Sequence, residues 1–272
     1  MSGGPYDDRQ AALVHQLRLF FIALQFFTRV RIPRWVGFAP EWLNHCTRYY
    51  PLVGLLVGVA GGAVYAAASQ IWPAAVAVLL STAATVYLTG AFHEDGFADV
   101  CDGFGGGLTR ERVFEIMKDS RIGAYGTVGI LLLLAVKCAT LAGLPDALTV
   151  AGALAAGHTL SRLYSAALIW RLDYAKEEGK AKPLGHRMSG GEFLIAVTTG
   201  AAVLLGVGLL GWLPWGALLG GMVLGVLAAM WLARVFVRRV GGYTGDCLGA
   251  VQQLSEAAFY LGVAAMAGGS PA

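Results

Sequence analysis

The chain has 272 residues, 57% of them hydrophobic and 14% charged, with 38 glycines and a formal charge of +3. Soluble domains carry roughly 25% charged residues and about 7% glycine. The composition therefore excludes a water-soluble globule, and equally a disordered chain, a collagen, a coiled coil or a disulfide-stapled secreted fold. What remains is a polytopic helical membrane protein, all-α and of one domain (1–272), with the lipid bilayer as its solvent.

In chain order, Met1 to Gln10 is polar, and the apolar stretch after it contains Arg18 and lacks a small-residue cleavage site, so no removable signal peptide is expected. Over 13–30, His15, Arg18, Gln25 and Arg29 form one stripe opposite Leu13, Leu17, Phe20, Phe21, Leu24 and Phe27. That pattern favours an in-plane amphipathic helix over an eighth span with its polar stripe turned to the protein. Seven apolar runs follow, at about 51–71, 74–92, 123–142, 147–170, 193–211, 216–237 and 247–267. Trp72-Pro73, Gly143-Leu-Pro-Asp146 and Gly211-Trp-Leu-Pro-Trp-Gly216 separate several of them as tight turns, which reads as helical hairpins.

Glycines recur every four residues at Gly54, Gly58 and Gly62, at Gly216 and Gly220, and at Gly221 and Gly225. Such seams let helix backbones approach closely, within one chain or between copies, so a homo-oligomer is open. The turns and the C-terminal tail lack Lys and Arg, whereas 29–50, 93–122, 171–192 and 234–246 hold nearly all of them. This alternation places the long loops in the cytoplasm. Cys46, Cys101, Cys138 and Cys247 show neither C-x-x-C nor metal-finger spacing. The weak net charge, without a basic stripe, argues against nucleic acid.

Seven of the 17 acidic residues fall between positions 93 and 119. They begin in Phe92-His-Glu-Asp-Gly-Phe-Ala-Asp-Val-Cys-Asp-Gly-Phe-Gly-Gly-Gly107, where Asp95, Asp99 and Asp102 stand at i, i+4 and i+7. On a helix these lie within about 60° of one another. Stacked carboxylates repel unless a cation sits among them, and hard oxygen ligands favour Mg2+ completed by substrate phosphates. The glycines that follow, Gly105 and Gly106 among them, offer backbone amides to a phosphate, ahead of a short helix capped by Thr109.

In Ile116-Met-Lys-Asp-Ser-Arg-Ile-Gly123, Lys118 and Arg121 supply cations for phosphates around Asp119, a carboxylate for metal or proton transfer. A third element, Gly241-Gly-Tyr-Thr-Gly-Asp-Cys-Leu-Gly-Ala250, brings Asp246 to the same site. Glu256, Lys137 and Arg162 are intramembrane charges, which are costly unless they partner one another, reach a substrate or, for Lys137, snorkel to an interface.

Three motifs carry a resemblance over nearly the whole chain: His93-Glu-Asp-Gly-Phe-Ala-Asp-Val-Cys-Asp-Gly103, Met117-Lys-Asp-Ser-Arg-Ile-Gly-Ala-Tyr-Gly126 and Thr244-Gly-Asp-Cys-Leu-Gly-Ala250. With Thr28-Arg29, Ile32-Pro33 and Tyr174-Ala-Lys-Glu-Glu-Gly179, they resemble the cobalamin synthase family, the adenosylcobinamide-GDP ribazoletransferases. That family often has an apolar residue where this chain has Glu94, so Glu94 is no obligatory ligand.

The resemblance implies a Mg2+-dependent enzyme of the bacterial inner membrane. Its substrates would be adenosylcobinamide-GDP and α-ribazole or α-ribazole 5′-phosphate, and GMP would be released. Asp95, Asp99 and Asp102 would then hold the metal, with Asp246 completing its shell or placing the nucleophile. Lys118 and Arg121 would neutralise the leaving phosphate, and His93 or Asp119 would take the hydroxyl proton. The basic 171–192 loop would cover the nucleotide or the nucleoside. A CDP-alcohol phosphotransferase shares the aspartate array, but its D-G-x-x-A-R element is missing here; an ion-coupled transporter would line a pathway with Glu256, Lys137 and Arg162.

Overall fold

The computed structural model describes residues 5–175 and 188–267. Its helices are α1 (Pro5–Phe27), α2 (Trp42–His45), α3 (Tyr50–Ala68), α4 (Ala74–Thr89), α5 (Phe92–Gly106), α6 (Arg110–Ile116), α7 (Ala124–Ala142), α8 (Ala147–Arg171), α9 (Gly190–Leu209), α10 (Trp215–Val240) and α11 (Gly245–Ala267). Each of the seven apolar runs forms a helix within a few residues of its expected bounds. Between described residues the only β pairing is one isolated parallel bridge, Tyr174 with Tyr243. The molecule is a multi-pass helical membrane bundle.

Length and apolarity qualify 10–27, Trp42–Ala68, α7, α9 and α10 as spans, and α4 with α5 as a pair bent by 90°. Two long helices fall outside that set: α8, with 25 residues, and α11, with 23. Both carry polar side chains in mid-helix, and both lie at the centre, α8 along α3 and α9, α11 along α10, α5 and α7. A central helix can be polar because its neighbours, not hydrocarbon, receive its side chains.

The glycine seams close inside the chain. A Cβ at Gly54 would lie 2.2 Å from the His158 carbonyl oxygen and one at Gly58 2.5 Å from that of Leu154, so α3 rides directly on the α8 backbone. Gly220 and Gly262 do the same for α10 and α11. Along α1, Leu13, Val14 and Leu17 are exposed, whereas His15 meets Trp42 edge-on and the Arg18 guanidinium lies 5.7 Å over the Trp42 ring. The polar stripe of α1 thus rests on the protein only in its first half; further along, Leu24 and Phe27 are buried in the core and Gln25 and Arg29 are exposed.

Candidate active site

The site is built around α5. The turn that delivers it places Gly90 and Ala91 in succession in the left-handed region, at φ 67° and 57°. For Ala91 that conformation costs about 1 kcal/mol, and it swings α5 across the end of α4 instead of continuing it. Along α5, Asp95 is exposed and Asp99 and Asp102 are half-buried, on one stripe. His93 is buried and stacks on Phe27 at 5.3 Å. Two residues of helix rotate it about 200° from Asp95, so His93 faces the bundle and the aspartates face out.

The carboxylate of Asp102 accepts the backbone N–H of Gly123 at 2.7 Å and of Gly126 at 2.8 Å. These amides open α7, where the helix dipole favours an anion. A Cβ at either glycine would lie 2.4 Å from an Asp102 oxygen, so both positions need glycine. Asp246 sits in the first turn of α11, where Thr244 Oγ1 donates to its Oδ2 at 3.3 Å and accepts the Cys247 N–H at 3.2 Å. Its backbone abuts α5: a Cβ at Gly96 would lie 3.0 Å from Asp246 Cα. Asp246 therefore joins the neighbourhood of Asp95.

Gly105 and Gly106 belong to the last helical turn of α5 rather than to an open amide loop. The glycines there admit close neighbours: a Cβ at Gly103 would meet Met117, one at Gly105 the Tyr125 ring, and one at Gly107 Val113. Arg239 seals this end of the helix, donating to the Gly107 and Phe104 carbonyls. Sequence reasoning missed Arg239, whose only signal was its place in a basic loop.

A cleft of about 540 Å3 opens beside this helix end, lined by Asp102, Gly106, Arg112, Glu115, Asp119, Arg121 and Tyr125 among others. It gathers four of the expected site residues, while Lys118 is exposed at the end of α6. Arg121 grips Asp119 through Nε at 3.0 Å, Nη2 at 2.6 Å and its own backbone N–H at 3.0 Å. Those bonds, the guanidinium's first, pull the Asp119 carboxyl down to about 2.

Among the described residues, no three His, Cys, Asp or Glu side chains converge closely enough to enclose an ion. Mg2+ does not require that, because one or two carboxylates plus substrate phosphates and water suffice. Asp95 and Asp99, one turn apart on the open edge of α5, have the oxygen chemistry such a site needs; Asp102 is already engaged with α7. Lys176, Lys180, Lys182 and Arg187 of the expected covering loop lie outside the described residues. The loop's start is anchored at the site: Ala175 N–H donates to Tyr243 O at 2.8 Å, and Arg110 Nη2 donates to Ala175 O at 2.8 Å.

Of the intramembrane charges, Lys137 and Glu256 pair with each other, and Arg162 bonds to His158. Lys137 Nζ lies 2.7 Å from Glu256 Oε1, and His158 Nδ1 2.9 Å from Glu256 Oε2. Arg162 Nη1 donates to the His158 carbonyl at 3.1 Å.

Residues 19–264 match the model of the cobalamin-5-phosphate synthase family. The chain is 49% identical to an adenosylcobinamide-GDP ribazoletransferase of Leptothrix cholodnii, an alignment that covers 93% of this chain and 97% of that protein. It is 46% identical to one of Shewanella amazonensis (90% and 94% covered) and 40% identical to one of Vibrio cholerae (92% and 95% covered). No solved structure matches. With its three motifs on α5, on the approach to α7 and on α11, the chain belongs to the cobalamin-5-phosphate synthase family.

Proposed function

We propose that the chain is an adenosylcobinamide-GDP ribazoletransferase acting at the last stage of cobalamin assembly. It joins adenosylcobinamide-GDP to α-ribazole or its 5′-phosphate. The ribazole 3′-hydroxyl oxygen forms a bond to the cobinamide-bearing phosphorus, the bond from that phosphorus to the GMP phosphate oxygen breaks, and the hydroxyl proton is lost. The observation that carries this reading is the aspartate stripe of α5 running from Asp246 to the cleft, in a chain 40–49% identical to enzymes of that name.

Such a displacement requires alignment and charge neutralisation more than covalent help. Asp95 and Asp99 would hold Mg2+, with Asp246 at its edge; when bound, the ion neutralises charge on the pyrophosphate. Arg121 and Lys118 face the leaving phosphate, with the Gly105–Gly106 turn beside it. Asp102 orients the α7 amides that form the far wall. Asp119 lines the cleft and receives the proton. It is a weak base, which a loose transition state tolerates because the hydroxyl loses its proton late. His93, on the other face of α5, supports the fold of the site instead.

The reading places α5, α6 and the basic loops on the cytoplasmic side of a bacterial inner membrane, in keeping with the Lys and Arg asymmetry. Purified full-length chain with Mg2+ and both substrates is expected to release GMP in step with the joined product. Folded protein that releases none overturns the proposal.

A further inference from the structure

Resting on that reading, the geometry points to Gln253 as a positioning residue: it sets the roll of α5, and so the direction of Asp95 and Asp99, under the orientation imposed by Lys137. Four observations converge on it. First, the two left-handed residues at the α4–α5 turn fix where α5 begins but leave its rotation about its own axis to other contacts. Second, the α5–α11 seam is built on glycine. A Cβ at Gly96 would meet the Asp246 backbone at 3.0 Å, and one at Gly249 would meet His93 O at 3.1 Å. Close backbone-to-backbone contact fixes separation better than rotation, and at the far end of α5 the Asp102 bonds to α7 add their own restraint.

Third, a directional tie crosses that seam: Gln253 Nε2 donates to Glu94 Oε1 at 2.8 Å. Glu94 immediately precedes Asp95. With Glu94 held against α11, helix geometry turns Asp95 and Asp99 about 100–140° away, onto the open edge. Fourth, Lys137 Nζ donates to Gln253 Oε1 at 3.0 Å while paired with Glu256 at 2.7 Å. An ammonium has only donors, so Gln253 must turn its carbonyl to Lys137 and present its NH2 to Glu94. Lys137, Gln253 and Glu256 are all buried, and Glu94 is half-buried. The chain of command runs from α7 through α11 to α5.

The magnitude makes this matter. A side chain about 5–6 Å from the helix axis moves about 2 Å for a roll of about 20°. A misplacement of about 1 Å at a reacting centre costs up to about 100-fold in rate.

The test uses the purified full-length chain, with Mn2+ as a spin probe read by electron paramagnetic resonance. Gln253→Met breaks both hydrogen bonds at similar volume. It is expected to weaken Mn2+ binding about tenfold, to lower kcat at saturating metal at least tenfold, and to speed amide hydrogen exchange across 92–106 while α7 and α10 stay protected. The swap Glu94→Gln with Gln253→Glu restores a donor facing an acceptor and keeps an acceptor for Lys137; it should bring Mn2+ affinity back to within about threefold. Wild-type Mn2+ affinity and wild-type exchange in Gln253→Met would overturn the inference, as would a folded swap variant without recovery. Wild-type chain that neither binds Mn2+ nor releases GMP overturns the catalytic reading instead, and the exchange arm still decides the role of Gln253.

Discussion

Charge is concentrated in two regions of this molecule and handled in opposite ways. Around Glu256 the charges are buried and gathered together: Lys137 and His158 take its two oxygens, and Gln252 and Gln253 complete the group. Along α5 the charge is acidic, and Asp95 there and Asp119 beyond α6 are exposed. In the bundle centre each charge needs a partner because none is solvated. At the outward edge of α5, the carboxylates have the oxygen chemistry that the proposed metal and its phosphates would need. On the proposed function, the difference separates groups that hold the frame from groups that would meet substrate.

The sharpest way to break the comparison is to alter one member of each region. Asp95→Asn keeps the shape of the exposed stripe and removes a charge that the proposal gives to metal binding. Activity should fall at least about 1,000-fold, equivalent to about 4 kcal/mol of barrier, with the unfolding midpoint unchanged. Retention of more than a tenth of the activity would remove the metal argument. Lys137→Met does the converse, leaving the Glu256 charge with His158 alone. Breaking a buried pair costs about 3–5 kcal/mol, and the low end is expected because His158 remains; the measurement is SDS-driven unfolding in bicelles. A loss below about 1 kcal/mol would mean that the pair does not hold the frame.

Much of this division can be read in the sequence, for a physical reason. Hydrophobic runs of span length have few alternatives to a helix in hydrocarbon, so each of the seven runs marks its helix. The spacing of Asp95, Asp99 and Asp102 states its own helical face. What sequence conceals is which partner a side chain finds across the bundle. Nothing local says that Asp102 caps α7, although Gly123 and Gly126, three apart at a helix start, are the mark it leaves. The run after Phe104 reads as a loop because glycine disfavours helix by about 1 kcal/mol each. In the fold that cost is outweighed by neighbours that only a missing Cβ admits: Met117, Tyr125 and Val113. The polar stripe of α1 could have been assigned to either side, since Trp42, which receives Arg18, lies beyond the helix.

A smaller effect tests whether Asp102 is frame or ligand. Gly123→Ala would put a methyl 2.4 Å from the Asp102 carboxylate, and the α7 start must shift to admit it. An intermediate loss of activity, about 10- to 100-fold, is expected, together with a stability loss of about 1–3 kcal/mol from the disturbed charge-assisted bonds. If Asp102 acts instead as a metal ligand independent of α7, the variant will lose Mn2+ affinity and leave stability untouched. Thermal unfolding and metal titration of the same preparation separate the two.

The smallest expected effect lies in the acid limb of the pH–rate profile and concerns Asp119 at the cleft. In the proposed mechanism its ionised form accepts the proton, and the guanidinium and backbone N–H of Arg121 hold its carboxyl at about 2. A depressed carboxylate stays ionised as pH falls and loses its charge only on passing its own pKa. The wild-type profile should therefore show no loss from this group down to pH 4. Arg121→Met removes both the charge and the side-chain bonds, so the carboxyl returns toward the ordinary value of about 3.9. In that variant kcat should begin to decline below about pH 5 and reach half near pH 4, beneath whatever uniform loss the missing cation imposes. Superimposable acid limbs, once scaled to their plateaus, would show that Asp119 does not take the proton. Its place beside Arg121 would then be that of an anchor for the cation, which would move one more carboxylate from the group that meets substrate to the group that holds the frame.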